Sequence, residues 1–329
     1  MLSLYKLEVF NAVIEAGSFS RAAERLYLTQ SAVSQHIQDL EASLGARLFE
    51  RRARGVDLTS AGQVLQDYTR CILNLLAEAQ NAVTNVEQLS SGQIRVGATP
   101  GAGGYLVPEW MQSFRERYPR LTIALTTDVT AEIVTRVLSR ALDIGFVEGE
   151  MDDQPGLETL ELQAIPQYVV IGRTHPWYGR QAIAVRELDG QPLVIRPAHS
   201  QTRVWLDGLL TRWGVKPVMV AELDSLEAIK QALIAGMGFS ILPEYVVRRE
   251  CDLGVLAALP VHDALLDRTL RLIWDGRRPL NPVSRAFLRH LSSAFPQLLR
   301  LVARLGDVSE VVEPEASSSA LDACRTEFS

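Results

Sequence analysis

Residues 16–45, AGSFSRAAERLYLTQSAVSQHIQDLEASLG, constrain this chain more than any other stretch. They spell two short helices joined by a tight turn. The spacing predicts a first helix over Ser20–Leu26, started by a serine cap and burying Ala22, Ala23 and Leu26 with help from Phe19. The small Ala22–Ala23 pair lets a second helix cross close by. After Tyr27–Leu28 the chain turns, and Thr29 or Gln30 caps the next helix. There Val33, Ile37, Leu40 and Leu44 fall at steps of four, three and four, forming one apolar stripe, and Gly45 supplies a stop. The other face carries Ser31, Ser34, Gln35 and Gln38, short donors and acceptors of the kind that read base edges in a major groove. This is the pattern of a helix-turn-helix whose recognition helix is Ser31–Leu44. An ordinary helical hairpin with a solvated polar face is the alternative.

Two neighbouring features favour the DNA reader. Upstream, Leu4, Leu7, Phe10 and Ile14 form a third amphipathic helix, which completes a three-helix core. Downstream, Arg47, Arg51, Arg52 and Arg54 crowd into eight positions, and strand-like LFE and VDL segments flank an Arg–Gly turn. Such a wing would present Arg51, Arg52 and Arg54 to phosphates beside the groove. The chain's net charge of −6 argues against nucleic acid only as an average, because this cluster is local. Residues 1–59 themselves balance seven basic against seven acidic side chains, so modest nonspecific affinity and reliance on dimerisation are expected.

From Thr59 onward, no Pro or Gly interrupts the chain between Gln63 and Ser91. Leu65, Tyr68, Ile72, Leu75, Ala79, Ala82, Val86 and Leu89 alternate at steps of three and four, an a/d heptad that predicts helix–helix pairing over residues 60–90. Packing on its own domain is the other use of such a helix. Pairing would fix the distance between two recognition helices and so select DNA half-site spacing. Ser90–Ser91–Gly92 is the expected hinge.

Beyond the hinge the pattern becomes α/β. Strands are expected at Ile94–Thr99, Leu121–Thr126, Ile144–Val147, Tyr168–Gly172, Leu193–Arg196, Pro217–Glu222, Phe239–Leu242 and Leu270–Trp274. Intervening helices are expected at Leu106–Tyr118, Ala131–Arg140 and Thr202–Trp213, then from a cap at Asp224 to Ala235, and last at Val283–Phe295. A chain that builds one βα unit, leaves for another and returns late suggests two lobes with a cleft. Strand ends feeding helix starts place a ligand in that cleft. The loop Thr99–Pro100–Gly101–Ala102–Gly103–Gly104 offers a hydroxyl and backbone N–H groups to a carboxylate or other small anion. Ser200, Gln201, Thr202 and Arg203 come at another helix start, with Arg203 a candidate anion partner if it points inward. Thr127, Asp128, Val129 and Thr130 are the third wall and Phe146–Glu148 the floor. The glycine loop is neither GxGxxG nor a P-loop, and a plain strand-to-helix turn remains its other reading.

The run from Leu7 to Gly62 strongly resembles the DNA-binding domain of LysR-type transcriptional regulators, through SFSRAAERLYLTQSAVSQHIQDLE, LGARLFER and LTSAG. The later module resembles their two-lobed effector domain, itself similar to periplasmic binding proteins, in IRVGATPGAGGYLVP, ALDIGFVEG, AHSQTRVWLD and GMGFSILPEY. The resemblance implies dimerisation through the connecting helix, assembly to tetramers, and effector contacts near Thr99 and Ser200–Thr202. It also implies a ligand-responsive mechanism in which the effector changes how dimers pair and bend double-stranded promoter DNA. This chain departs from the family at three places. Ser31 stands where Pro is common, Gln35 where Arg is common, and His199–Ser200–Gln201 where Gly-Ser-Gly is common. Operator preference and pocket shape therefore differ.

The expected organisation is a winged helix-turn-helix over 1–59, a dimerisation helix over 60–90, an effector domain of two α/β lobes over 91–300, and an acidic, unstructured tail over 306–329. No cofactor, metal site or catalytic residue is expected. GxSxG and HExxH are absent, and His175, His199, His262 and His290 show no ligand spacing. Cys71, Cys251 and Cys324 are scattered, consistent with reduced thiols in a cytoplasmic protein, and Cys251 alone lies well inside the effector module, against a redox-sensing pair. No apolar run approaches the ~18 residues of a membrane helix. An enzyme on the α/β module and a secreted solute-binding protein are the competing functions. Turnover by residues 91–300 or secretion of the chain would favour them.

Overall fold

The computed structural model describes residues 2–51, 56–84 and 92–305. Expectations for Arg52, Arg54, Val86, Leu89, the hinge serines and the tail over 306–329 lie outside those residues. Helix α1 (Leu4–Ala16) starts where the Ser3 hydroxyl accepts from the Lys6 amide, and ends at Gly17, φ +62°. It buries Leu7, Val9, Phe10, Ala12 and Val13. Leu4, at the first helical position, is exposed, and Ile14 is half-buried against the three-helix core.

Helix α2 (Phe19–Leu26) begins one residue before the expected Ser20, with Ser18 as a cap whose side chain makes no capping bond. Phe19 is drawn into the helix by its ring contact with Phe49, 5.6 Å between centroids. Helix α3 (Gln30–Leu44) is capped by Thr29, whose hydroxyl accepts from the Ala32 amide, and is stopped by Gly45 at φ +68°. Val33, Ile37 and Leu40 enter the core alongside Ala22 and Ala23. Leu44, the last residue of α3, is 42% exposed and falls outside the core stripe.

Strands β1 (Phe49–Arg51) and β2 (Val56–Leu58) pair antiparallel with Phe49 opposite Leu58 and Arg51 opposite Val56, forming the wing. Glu41 Oε1 accepts from the Leu48 amide at 2.7 Å and holds its first strand to α3. Thr59 then caps α4 (Ser60–Thr84), accepting from the Gly62 amide at 3.0 Å while donating to Arg47 O at 2.7 Å. Gly62 is required here. A β-carbon would collide with the Leu48 carbonyl and with Leu58. On α4, Leu65 packs on the three-helix core, whereas Tyr68 and Leu75 are exposed.

The α/β module adds β3 (Gly92–Ala98), a π-helical turn at Ala102–Leu106 running into α5 (Val107–Arg117), β4 (Leu121–Thr127), α6 (Thr130–Leu138), β5 (Ile144–Glu148) and β6 (Leu157–Gly172). There follow β7 (Pro192–Ile195), α7 (Gln201–Trp213), β8 (Val218–Glu222), α8 (Leu226–Ile234), β9 (Phe239–Pro243) and α9 (Glu244–Asp252). Strands β10 (Leu256–Leu259) and β11 (Asp267–Asp275) and helices α10 (Pro282–Leu291) and α11 (Gln297–Arg304) complete it.

The strands hydrogen-bond in the order β4-β3-β5-β11-β6-β9-β7-β8, with β10 also on β6. Strand β6 is the spine. Its first part, Leu157–Pro166, pairs antiparallel with β11 in one lobe, and its last part, Gln167–Gly172, pairs with β9 and β10 in the other. The return crossing is tied at the same level, where the Gln167 amide donates to Leu266 O at 2.7 Å. Each lobe has its own core. Phe114, Phe146, Trp274 and Phe287 centre the first, and Trp177, Leu206, Phe239 and Ile241 lie in the second.

In the α/β module, expectations change as follows. The 168–172 strand is the end of a 16-residue β6. The cap of α8 is Ser225, accepting from the Ala228 amide, rather than Asp224. The expected helix Val283–Phe295 stops at Leu291, and α11 runs on to Arg304. Helix α9 and strand β10 add a unit that periodicity did not mark.

Candidate functional site

On α3 the structure sets Ser31, Gln35 and Gln38 at the surface and Ser34 half-buried, opposite the core stripe of Val33, Ile37 and Leu40. Two of these side chains are partly committed. Ser31 Oγ lies 3.0 Å from Thr29 Oγ1, and Gln35 Nε2 donates to Asp39 Oδ1 at 2.8 Å. Asp39 also pairs with Lys6 at 3.4 Å, and these contacts, Gln35 first and then Lys6, hold its carboxyl below the usual aspartate range. Helix α3 thus carries a braced Gln35–Asp39–Lys6 chain on its rim. Backbone at Arg51 belongs to β1, and Arg52 and Arg54 lie outside the described residues. Tyr27 is 97% exposed in the turn between α2 and α3, at φ +56°.

The second candidate region is the cleft between the lobes, with about 590 Å³ of empty space including its solvent mouth. It brings together Thr99, Pro100 and Gly101 from the first lobe with Ser200, Gln201 and Thr202 from the second. The Thr99 amide donates to Phe146 O at 3.0 Å, which fixes the loop, while its buried Oγ1 has no partner among the described residues. Ser200 caps α7, its hydroxyl accepting from the Arg203 amide at 3.1 Å. The positive end of that helix therefore faces the space.

Two sequence candidates stand apart. Arg203 is turned away from the cleft, its Nε donating to Asp207 Oδ2 at 2.8 Å and its Nη1 lying 3.5 Å from Glu222 Oε2. Its Nη1 also donates to Arg196 O at 3.4 Å, so it braces a neighbour. The acids on its own helix and on β8 outbid the cleft. Asp128 is likewise turned aside. Its Oδ1 caps the Val129 amide at 2.9 Å and its Oδ2 accepts from Arg136 at 3.3 Å. Of the expected third wall, Val129 and Thr130 line the cleft.

The cationic groups of the cleft are Arg196 and Arg268 instead. Arg196 ends the apolar run of β7 and is anchored by donating to Asp224 O. Arg268 is buried, donating to Thr202 Oγ1 at 3.0 Å and to Glu148 O at 2.7 Å, with Glu148 Oε2 at 3.4 Å. Its guanidinium lies over the Trp205 ring, 5.5 Å from the centroid. Burial lowers the pKa of both arginines, opposed for Arg196 by Asp224 and Glu148 and for Arg268 by Glu148 and Tyr245. Arg268 Nε is buried with no partner among the described residues. Burial first, then the charge of Glu148, pushes the Tyr245 phenol well above its ordinary pKa, so it stays protonated and donates to Glu148 Oε1 at 2.5 Å. Gly101 is glycine because of that pair. A β-carbon there would lie 2.5 Å from Glu148 Oε1 and 2.9 Å from the Tyr245 oxygen.

Two arginines against one carboxylate, a spare threonine hydroxyl and a helix N-terminus suit a small oxyanion. Sequence reading passes over Arg196, Gln167 and Arg268. For Arg268 a signal exists, because it shares the inward register of β11 with Leu270 and Leu272. Among the described residues no group of His, Cys, Asp and Glu is arranged to hold a metal ion, and no helix is long and apolar enough to cross a membrane.

Comparison with known proteins joins the two regions. The family described as "Bacterial regulatory helix-turn-helix protein, lysR family" matches residues 4–63, and "LysR substrate binding domain" matches residues 87–296. The chain is 32% identical to the HTH-type transcriptional activator CmpR of Synechocystis over 289 residues, 88% of this chain and 94% of that protein. It is also 32% identical to the HTH-type transcriptional regulator CbbR of Rhodospirillum rubrum, over 88% of this chain and 96% of that one. Full-length CbnR complexed with its target DNA has the same fold, with TM-score 0.72 at 23% identity, covering 89% of this chain and all of that one. The Synechocystis CcmR regulatory domain, solved with 2-PG, aligns at TM-score 0.58 and 25% identity over 62% of this chain and 98% of its own. With its winged helix-turn-helix and two-lobed α/β module, the chain belongs to the LysR family of DNA-binding transcriptional regulators rather than to an enzyme family.

Proposed function

We propose that this regulator is switched by a small oxyanion held between its lobes by Arg196, the Thr99 hydroxyl, Arg268 and the N-terminus of α7. The observation that carries the reading is the convergence of two buried donors without partners among the described residues, Thr99 Oγ1 and Arg268 Nε, with Arg196 on one cleft. The relative solved with 2-PG, a phosphate- and carboxylate-bearing molecule, supports 2-phosphoglycolate as the first probe. Calorimetric titration of the full chain with it is the test. Binding that Arg196→Met weakens by about tenfold or more, the value of one charge-assisted hydrogen bond, supports the site. Heat unchanged by Arg196→Met sinks it.

The DNA contacts proposed for this chain are Ser31, Ser34, Gln35 and Gln38 for base edges, and Arg51, Arg52 and Arg54 for phosphates. The proposed domain limits are 1–59, 60–90 and 91–300, with α11 extending the last to Arg304. Dimerisation through 60–90 is supported by the exposure of Tyr68 and Leu75 on α4, and tetramer assembly and a cytoplasmic location follow family habit. Fluorescence anisotropy with the chain's own upstream region tests the reader. Replacing Ser34 and Gln35 together by alanine should abolish sequence preference while leaving the melting temperature unchanged. Retained preference counts against it.

A further inference from the structure

At the far end of the first lobe lies a smaller cavity with about 360 Å³ of empty space including its mouth, and the effector cleft shares none of its lining. Arg140, Asp143, Asp275, Arg278, Asn281 and Ser284 contribute its polar groups. Strand β11 links the two places, with Arg268 near its cleft end and Asp275 at the other, roughly 23 Å along the strand.

Two buried groups here lack partners among the described residues, Arg278 Nη1 and Ser284 Oγ. Ser284 is fully buried and lines the cavity, in the first turn of the ten-residue helix α10. A buried donor left without an acceptor costs about 1–3 kcal/mol, so two of them in one cavity point to an occupant that accepts hydrogen bonds. The helix N-terminus adds a positive partial charge at the same place.

The carboxylates on the lining do not supply that acceptor. Asp143 is engaged by Arg95, from its amide at 2.6 Å and Nη2 at 2.8 Å. Asp275 takes the Arg277 Nε at 2.7 Å and Nη2 at 2.9 Å, which holds its pKa below the ordinary range against the effect of burial. The Arg278 Nε reaches Asp275 only at 3.8 Å. The charged lining is balanced, Arg140 and Arg278 against Asp143 and Asp275, and both aspartates are already engaged by Arg95 and Arg277 from outside it.

We propose that this cavity is a second anion site, taking a small oxyanion between Arg278 Nη1 and Ser284 Oγ at the start of α10. Inorganic phosphate is the probe, titrated calorimetrically into the full chain at constant ionic strength. The expected result is a binding event that Arg278→Met weakens by about tenfold or more and Ser284→Ala weakens measurably, and that Arg196→Met leaves intact. Ser284→Ala removes only the hydroxyl, so it reports on the site even if Arg278→Met fails to fold. An isotherm unchanged by Ser284→Ala, or lost completely in Arg196→Met, would mean that ordered water fills the cavity, and the proposal falls. Because the two sites answer to different arginines, failure of the cleft reading leaves this one standing.

Discussion

Tyr245 on α9 and Glu148 on β5 meet across the cleft, phenol to carboxylate, at 2.5 Å. They belong to opposite lobes. With the Arg268–Thr202 bond at 3.0 Å, this pair ties the lobes together.

Tyr245→Phe leaves Glu148 Oε1 buried without its donor, and should cost about 1–3 kcal/mol. The chain's five tryptophans, Trp110, Trp177, Trp205, Trp213 and Trp274, all lie in the α/β module, so intrinsic fluorescence in a urea titration reads this module alone. An unchanged midpoint would show that the bond contributes nothing to closure.

Overpacking tests the helix crossing. Ala22 is fully buried where α2 meets α3. Ala22→Leu should destabilise the DNA-binding domain by about 1–3 kcal/mol and weaken operator binding, while the tryptophan transition stays where it was.

Tyr27 holds a left-handed conformation without burying its ring. Such a backbone costs a non-glycine residue about 1–2 kcal/mol, partly offset by the flexibility glycine adds to the unfolded chain. Tyr27→Gly should therefore raise the melting temperature of the DNA-binding domain. A fall would mean that the ring packs in solution.

His290 gives a pH signature. Its Nε2 lies 2.8 Å from Ser113 Oγ, and burial, followed by the charge of Arg117, lowers its pKa, with Glu116 opposing. The unfolded chain, with a histidine pKa near about 6.5, then binds more protons than the native one. Stability rises with pH between the depressed folded value and about 6.5, and is lost as pH falls through that window. Comparing melting temperatures at about pH 8 and about pH 5, His290→Gln should lose less than the parent protein.

The DNA reader is legible in the sequence because every device in it is local. Thr29 caps, Gly45 stops, and Val33, Ile37 and Leu40 repeat at the helical period. The cleft is legible only in part. Thr99 and Ser200 sit at strand-to-helix turns that sequence marks, but orientation there is decided by distant charges. Arg203 is captured by Asp207 and Glu222, while Arg268 enters the cleft from a strand 66 residues from its partner Thr202. Strand alternation marks Arg268 as inward-facing, but nothing local shows that it enters a cleft or that Arg203 does not. The long β6 is missed for a related reason. Its first half, ETLELQ, alternates as a strand with one wet face, and its second half, YVVIG, is buried as a continuous run. Two patterns in one strand read as two elements.

The crossing of β6 and the return at Leu266 also order biosynthesis. Residues 167–266 make one lobe from a single continuous segment, whereas the other draws on 92–166 and again on 267–305, with Phe287, Phe295, Leu298 and Val302 in its core. On the ribosome the continuous lobe has all its parts first, and the lobe that begins earlier must wait for the C-terminal helices. A truncation before α10 would therefore strip the interior of the first lobe while leaving the second whole.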